Sequence, residues 1–447
     1  MSENWLIQGA RVLDPANDLD AVRDVLVADG KIARVGASID SDGLPVVDAS
    51  GLLLTPGFVD LHCHLREPGF EYKETIATGT RAAVQGGFTT VCSMANTDPV
   101  VDTPATVAFI LERAKNAGAA RVSPLAAVTQ GFGGTQLVEM AALSDAGVVA
   151  FSDDGLPIAD ARMMRHALEY SLLVGKPIVN HCEEPSLAHG GVMNEGLTSL
   201  RLGLPGMPAE AEETMVARDA LLARRTGGHV HIAHVSTQGS VQIIRAAKQQ
   251  GVRITAEVTP HHLTLTDAIV AESLPVEDGS ALAYDTQAKV KPPLRTETDV
   301  EALIEGLNDG TIDAIATDHA PHSTTDKLCE FSEAESGISC LETAFSQAYQ
   351  LVQDGRITLQ TLISKLTVEP SRVFDLPTGT PAPGAPADVV LLDLTSSWIV
   401  DPLAFASKGK NTPIAGTTLP ARVALTFVAG RPVQVADGYE QRGATQT

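Results

Sequence analysis

The chain has 447 residues, 44% hydrophobic and 19% charged, a balance that supports buried cores and excludes a disordered chain. A formal charge of -23 and a pI near 4.8 argue against nucleic acid or an anionic membrane surface as partner, so a small anionic substrate would need cations gathered around it. Five cysteines without framework spacing, no basic and apolar leader in residues 1–5, and no apolar run of bilayer length point to a reduced, cytoplasmic protein with no membrane span.

Residues 1–55 read as short strands separated by turns, and 24–36 alternates around Asp29-Gly30 as a hairpin does. From 56 to 375, apolar strand-like runs alternate with helix-period segments. The runs fall at 57–65, 88–96, 122–129, 148–154, 177–183, 229–236, 253–260 and 312–317. Helical periodicity falls between them, at 74–85, 103–117, 159–173, 210–225 and 241–250 among others. Eight such strand and helix units make an α/β chain of the (β/α)8 TIM barrel type. Residues 271–291 lack periodicity and predict a loop over the site. The far end turns β-rich again, at 387–393 and at 423–435 around Ala429-Gly430-Arg431. Residues 1–55 and 376–447 are therefore expected to build one small β-sandwich-like domain, with 56–375 as the catalytic barrel.

In such barrels the reacting groups sit at the C-terminal ends of the strands. The first strand runs into D-L-H-C-H-L-R-E-P-G at 60–69. Strand alternation turns His62 and His64 to one side and Cys63 to the other, so two imidazoles can close on one divalent ion. An isolated H-x-H is more often an ordinary polar strand end, and so is any one of the other candidates. Together they are harder to dismiss: Arg66, Asn96, the Asp153-Asp154 pair, His181, His234, Asp318, His319 and His322 all fall at predicted strand ends. His229 and His231 come earlier in their strand and read as structural. His261 and His262 read as packing or supporting groups, Cys63 and Cys182 as core, and His166 and His189 as solvated. Imidazoles and carboxylates without thiolates suit zinc, with manganese or cobalt as substitutes. Four histidines and two aspartates suit two metals that share a carboxylate and stabilise a hydroxide, nucleophilic near neutral pH. An aspartate facing that hydroxide can take its proton and deliver it to a leaving nitrogen, which is chemistry for an amide-like carbonyl.

At these residues the chain resembles the amidohydrolase superfamily and, within it, the dihydroorotase family of the bacterial class I type. The likeness runs nearly end to end. It rests on the 60–69 motif, M-A-N-T at 94–97, F-S-D-D-G at 151–155 and N-H-C-E at 180–183. It continues through T-P-H-H-L at 259–263, K-P-P-L-R at 291–295, A-T-D-H-A-P-H at 316–322 and S-K-G-K-N-T-P at 407–413. The resemblance implies reversible closure of N-carbamoyl-L-aspartate to L-dihydroorotate and water, a step of pyrimidine synthesis, with two Zn2+ per subunit. It implies His62 and His64 on one zinc, His181 and His234 on the other, and Asp154 rather than Asp153 as the bridge. Asp318 would be ligand and general base and acid, and Arg66, Asn96 and His322 would hold the substrate carboxylate. A homo-oligomer, dimer or tetramer, and a complex with aspartate transcarbamoylase are also implied.

Hydantoinases, dihydropyrimidinases and allantoinases of the same superfamily carry a carboxylated lysine at the end of the fourth strand. Residues 150–155 here contain no lysine, which favours an aspartate bridge. A non-catalytic scaffold for aspartate transcarbamoylase would lack ligands, whereas all six positions are filled. Three departures from the family stand out: Lys291 where Asn is usual, M-A-N-T for M-P-N-T, and Ser336-Gly337-Ile338 for F-G-I. Two readings of Lys291 stand side by side: a cation for the substrate carboxylate, or a side chain pointing to solvent.

Overall fold

The computed structural model describes residues 4–271 and 283–442; of the loop expected over 271–291, residues 272–282 lie outside the described residues. Each of the eight apolar runs yields a strand: Phe58–Cys63, Phe88–Ser93, Arg121–Pro124, Phe151–Ser152, Ile178–Asn180, Val230–Ile232, Ile254–Val258 and Ala314–Ile315. The first three pair in parallel in chain order. The other five do the same in a second sheet. Single parallel bridges, Ala126 with Phe151 and Cys63 with His319, link the edges of the two sheets. The strands are shorter than the apolar runs, and all but the third, which starts one residue early at Arg121, lie within them. The last residues of each run leave the sheet and turn into the loops that carry the polar side chains.

The intervening helices cover the sheets with one apolar face each. Gln238–Gln249 buries Val241, Ile244 and Ala247, three residues apart. It begins earlier than its apolar periodicity, because the Thr237 side chain caps the N-terminus by accepting from the Ser240 N–H. Phe58 anchors the main apolar cluster, edge-on to Phe88 at 5.6 Å and stacked on Phe345 at 5.3 Å between ring centroids.

Both ends of the chain enter one eight-stranded sheet. Its order is Arg431–Val435, Thr418–Val428, Val389–Ile399, Leu53–Pro56, Trp5–Asp14, Leu19–Ala28 and Lys31–Gly36, with Val46–Asp48 paired to Trp5–Asp14. The hairpin at Asp29-Gly30 forms as its sequence requires: both residues have positive φ, 51° and 75°, the conformation a two-residue turn needs and one that glycine adopts freely. This sheet owns a separate apolar cluster that includes Trp5, Val25, Val389, Leu425 and Phe427. Arg121 at the foot of the third parallel strand pairs with Asp388 at 2.7 Å and ties the two parts together. No helix among the described residues is long and apolar enough to cross a membrane.

Candidate active site

The loops after the parallel strands converge on a cleft of about 630 Å³, lined by His64, Arg66, Asn96, Asp154, His234 and Asp318, among others. A second cleft of about 480 Å³, against the terminal sheet beside Trp398 and Arg422, contains none of the candidate ligands.

At the base of the first cleft, Asp154 lies between two pairs of imidazoles. Its Oδ2 is 3.4 Å from His62 Nε2 and 3.6 Å from His64 Nε2. Its Oδ1 is 3.6 Å from His181 Nδ1 and 3.5 Å from His234 Nε2. A tetrahedral divalent ion with ligands at about 2.0–2.2 Å sets ligand-to-ligand edges of about 3.3–3.6 Å. In the two groups His62, His64, Asp154 and Asp154, His181, His234 the edges to Asp154 match those of a metal cage, while His181 Nδ1 and His234 Nε2 approach each other to 2.9 Å; the groups share one carboxylate. The polar atoms behave accordingly. His62 Nε2 and Asp154 Oδ1 are buried without a hydrogen-bond partner, an expensive state that a cation would relieve. The donor set therefore fits a pair of divalent ions.

Supporting groups fix which ring nitrogen faces the cage. His62 Nδ1 is held by Glu257 Oε1 at 2.7 Å, and Glu257 is held in turn by His231 Nε2 at 3.1 Å. Asn96 Oδ1 accepts from His64 Nδ1 at 2.9 Å. Both rings are thereby left with Nε2 for a metal. His181 presents Nδ1, with its Nε2 3.5 Å from Glu183. Asp318 Oδ1 lies 3.1 Å from His64 Nε2 and 3.5 Å from His62 Nε2. Arg66, His234 and Asp318 all have positive φ, 61°, 33° and 46°. That region costs a non-glycine residue of order 1–3 kcal/mol, and such costs concentrate at functional sites.

The electrostatics call for positive charge. Burial opposes a charge on His62, but Asp154, Glu257 and Asp318 hold its pKa well above the ordinary imidazole value. Burial likewise opposes charge on His181, yet Asp154 and Glu183 raise it to about 9. Burial would raise Asp154 and Asp318, but the surrounding histidines keep both carboxyls below the usual range. A divalent cation held by the two ionised carboxylates would take the place of the protons drawn onto His62 and His181.

The structure separates the two aspartates that the sequence left adjacent. Asp153 is turned away from the cage and accepts from the Val128 and Thr129 N–H groups, at 2.7 and 3.0 Å, and from the Thr129 hydroxyl. Arg66 and His322 meet at the cleft wall, with Arg66 Nη2 3.4 Å from His322 Nε2. His319 points elsewhere: its Nδ1 accepts from the Cys340 N–H at 3.1 Å. Cys63 and Cys182 are buried outside both cages, and His166 and His189 are exposed. Lys291 is half-exposed. It lines the cleft, and its Nζ pairs with Glu183 Oε1 at 2.8 Å. The late S-K-G-K-N-T-P stretch acts from behind, where Asn411 Nδ2 donates to the Ala320 and Gly337 carbonyls, both at 3.0 Å.

Glu257, Glu183 and Lys73 lie beside the site, and the strand-end search missed them. Glu257 carried a signal, a carboxylate inside the apolar run I-T-A-E-V, where an unpaired charge would be costly. Glu183 closes the N-H-C-E motif without a role following from it, and Lys73 carried no signal that distinguishes it from a surface charge.

A histidine and aspartate cage at the C-terminal ends of parallel strands, in an α/β chain of this size, marks the metal-dependent hydrolases of the amidohydrolase type. Solved structures of that type share the fold. An L-hydantoinase (dihydropyrimidinase) from Arthrobacter aurescens matches with a TM-score of 0.85 at 24% identity, over 97% of this chain and 96% of its own. A dihydropyrimidinase from Brevibacillus agri matches with a TM-score of 0.82 at 21% identity, over 97% and 95%. Sequence likeness is narrower. A family model described as dihydro-orotase-like matches residues 51–240. A dihydroorotase of Anaeromyxobacter dehalogenans is 51% identical over 97% of this chain and 98% of its own length. One of Pelotomaculum thermopropionicum is 51% identical over 96% and 98%. The chain belongs to the dihydroorotase family.

Proposed function

We propose that the chain is a dihydroorotase of the bacterial class I type. It interconverts L-dihydroorotate plus water and N-carbamoyl-L-aspartate, a reaction of pyrimidine biosynthesis, in the cleft above Asp154. The observation that carries this reading is the Asp154 carboxylate between two histidine pairs, with Asp318 and a cationic wall on the same cleft. The eight parallel strands, joined at both edges by single bridges, are taken as a closed (β/α)8 barrel over residues 56–375. Residues 1–55 and 376–447 are taken as the companion β-sandwich-like domain, on the strength of their own apolar cluster.

His62 and His64 would hold one zinc ion and His181 and His234 a second, with Asp154 bridging and Asp318 as a further ligand. When bound, the two ions supply positive charge that polarises the ring amide and acidifies water. The protein's own groups do the rest. Arg66, Asn96 and His322 bind the carboxylate that survives on both substrate and product, which places the reactive amide over Asp318. In the hydrolytic direction, oxygen from water joins the amide carbon and the bond from that carbon to the ring nitrogen breaks. Asp318 takes the water's proton and returns it to that nitrogen; ring closure reverses each step. The missing fourth-strand lysine speaks against a hydantoinase or allantoinase, and the complete ligand set against a scaffold without catalysis.

The test is an assay of purified, zinc-loaded protein on dihydroorotate, hydantoin, dihydrouracil and allantoin. Turnover of dihydroorotate is expected; activity confined to any of the other three would refute the assignment. The reading also carries a homo-oligomer, dimer or tetramer, that can join aspartate transcarbamoylase. Light scattering, alone and with added transcarbamoylase, tests both.

A further inference from the structure

Lys73 has no part in the chemistry described so far, yet it is buried, at 9% exposure, in the loop before helix Ile76–Gln85. Its Nζ stands 3.3 Å from His322 Nδ1, 3.5 Å from Asp326 Oδ2 and 3.9 Å from Glu335 Oε1. It lines the cleft together with Arg66 and His322. An ammonium can only donate, so this contact requires a lone pair on Nδ1 and places the proton of the neutral ring on Nε2. On the other side of the ring, Nε2 lies 2.9 Å from the Ser336 carbonyl oxygen, which can only accept. These two contacts select one tautomer, outweighing the longer approaches of Arg66 Nη2 to Nε2 at 3.4 Å and of Asp326 Oδ2 to Nδ1 at 3.7 Å, which favour the other. The backbone is fixed as well, because the His322 N–H donates to Asn411 Oδ1 at 2.9 Å. Gly337 keeps the Nε2 edge open: a Cβ there would lie 3.0 Å from Nε2, and its φ of 145° disfavours any side chain.

We propose that Lys73 is a positioning residue for the substrate's carboxylate. It locks His322 in the Nε2–H tautomer, so that this N–H and the Arg66 guanidinium offer adjacent donors to one anion, which replaces the Ser336 carbonyl as acceptor. The proposal rests on the dihydroorotase reading for the identity of that anion. The charged groups facing the ring are Arg66, Lys73 and Lys327, with Asp326 opposing them. Burial and the three cations together hold the imidazole down at about 2, so it stays neutral over the working range of pH. Removing Lys73 removes the donor to Nδ1 and one of those cations. The ring can then adopt the other tautomer.

The experiment uses the zinc-loaded full chain, with Lys73→Met and Lys73→Arg beside the native enzyme. It follows kcat and KM for dihydroorotate from pH 5.5 to 8.5, zinc content, and the histidine tautomer by nitrogen NMR. In the native chain His322 is expected as Nε2–H throughout. Lys73→Met should raise KM at pH 8 about tenfold, the cost of a charge-assisted contact, with kcat and zinc content nearly unchanged. Lys73→Arg, which keeps a donor to Nδ1, should restore most of the affinity. A native ring carrying its proton on Nδ1 would overturn the proposal. So would a native-like KM in Lys73→Met, or a loss of kcat and zinc at constant KM. Should Lys73→Met fail to fold, the tautomer of the native chain decides alone. A native enzyme inert toward dihydroorotate would remove the functional assignment while leaving that tautomer measurement valid.

Discussion

Asp153 and Asp154 are adjacent in sequence but face different partners, and substitutions there should separate structure from chemistry. Asp154→Asn weakens one oxygen of the shared carboxylate and should empty both cages; metal analysis is expected to show loss of most of the bound zinc together with turnover. Asp153→Asn instead disturbs three hydrogen bonds that hold the 128–129 loop. It should cost about 1–3 kcal/mol of stability in urea unfolding, with zinc retained. The reverse pattern would reassign the bridge. Asp318→Asn keeps an oxygen for the metal but cannot move the proton, so kcat should fall by about 10²–10⁴ with metal largely kept. Unchanged turnover would remove Asp318 from proton transfer. At this scale the sequence was most informative where strand alternation applied: His62 and His64 share a side because they are two residues apart. Alternation was silent on Asp153 against Asp154, because a turn, not a strand, sets their directions, and only the family resemblance favoured Asp154.

The strand Ile254–Val258 adds no candidate ligand, yet its Glu257 orients His62 and is itself oriented by His231 on the neighbouring strand. Glu257→Gln should weaken zinc retention about 10–100-fold in competition with a chromophoric chelator, while the fold survives; undiminished retention would make Glu257 a packing group. His231 was read as structural, and its structural task is to support the metal side. A second element links the terminal sheet's approach loop to the parallel-strand part of the chain. The Glu342 carboxylate, just before helix Ala344–Gln353, accepts the Ala406 and Ser407 N–H groups at 3.1 and 3.2 Å. Burial raises its pKa from 4.5 to about 7 despite those bonds. The folded chain therefore holds a proton that the unfolded chain releases. This contribution to stability is complete below about 4.5 and is lost as pH rises through about 7. Glu342→Gln removes that slope, so between pH 5 and pH 7.5 the variant should gain on the native chain in urea unfolding. A constant difference would contradict the assignment.

For the molecule as a whole, all eight strand runs and the β character of both ends were legible, because apolar periodicity and Asp-Gly turns are local signals. Strand lengths were not, since the residues that leave the sheet do so to point side chains at a shared centre, a non-local demand. Lys291 was not legible for the same reason: its partner Glu183 lies on another loop, over a hundred positions away. The net charge of -23 and the cations Arg66 and Lys73 in the cleft are consistent only if positive charge is concentrated where the substrate binds. The most direct test is a crystal structure of the zinc-loaded chain with dihydroorotate, phased at the zinc edge. Two anomalous peaks flanking the Asp154 carboxylate are expected, one beside His62 and His64 and one beside His181 and His234, with the ligand carboxylate on Arg66 and its ring amide facing Asp318. A single peak, a bridge through Asp153, or a ligand carboxylate away from Arg66 would contradict it.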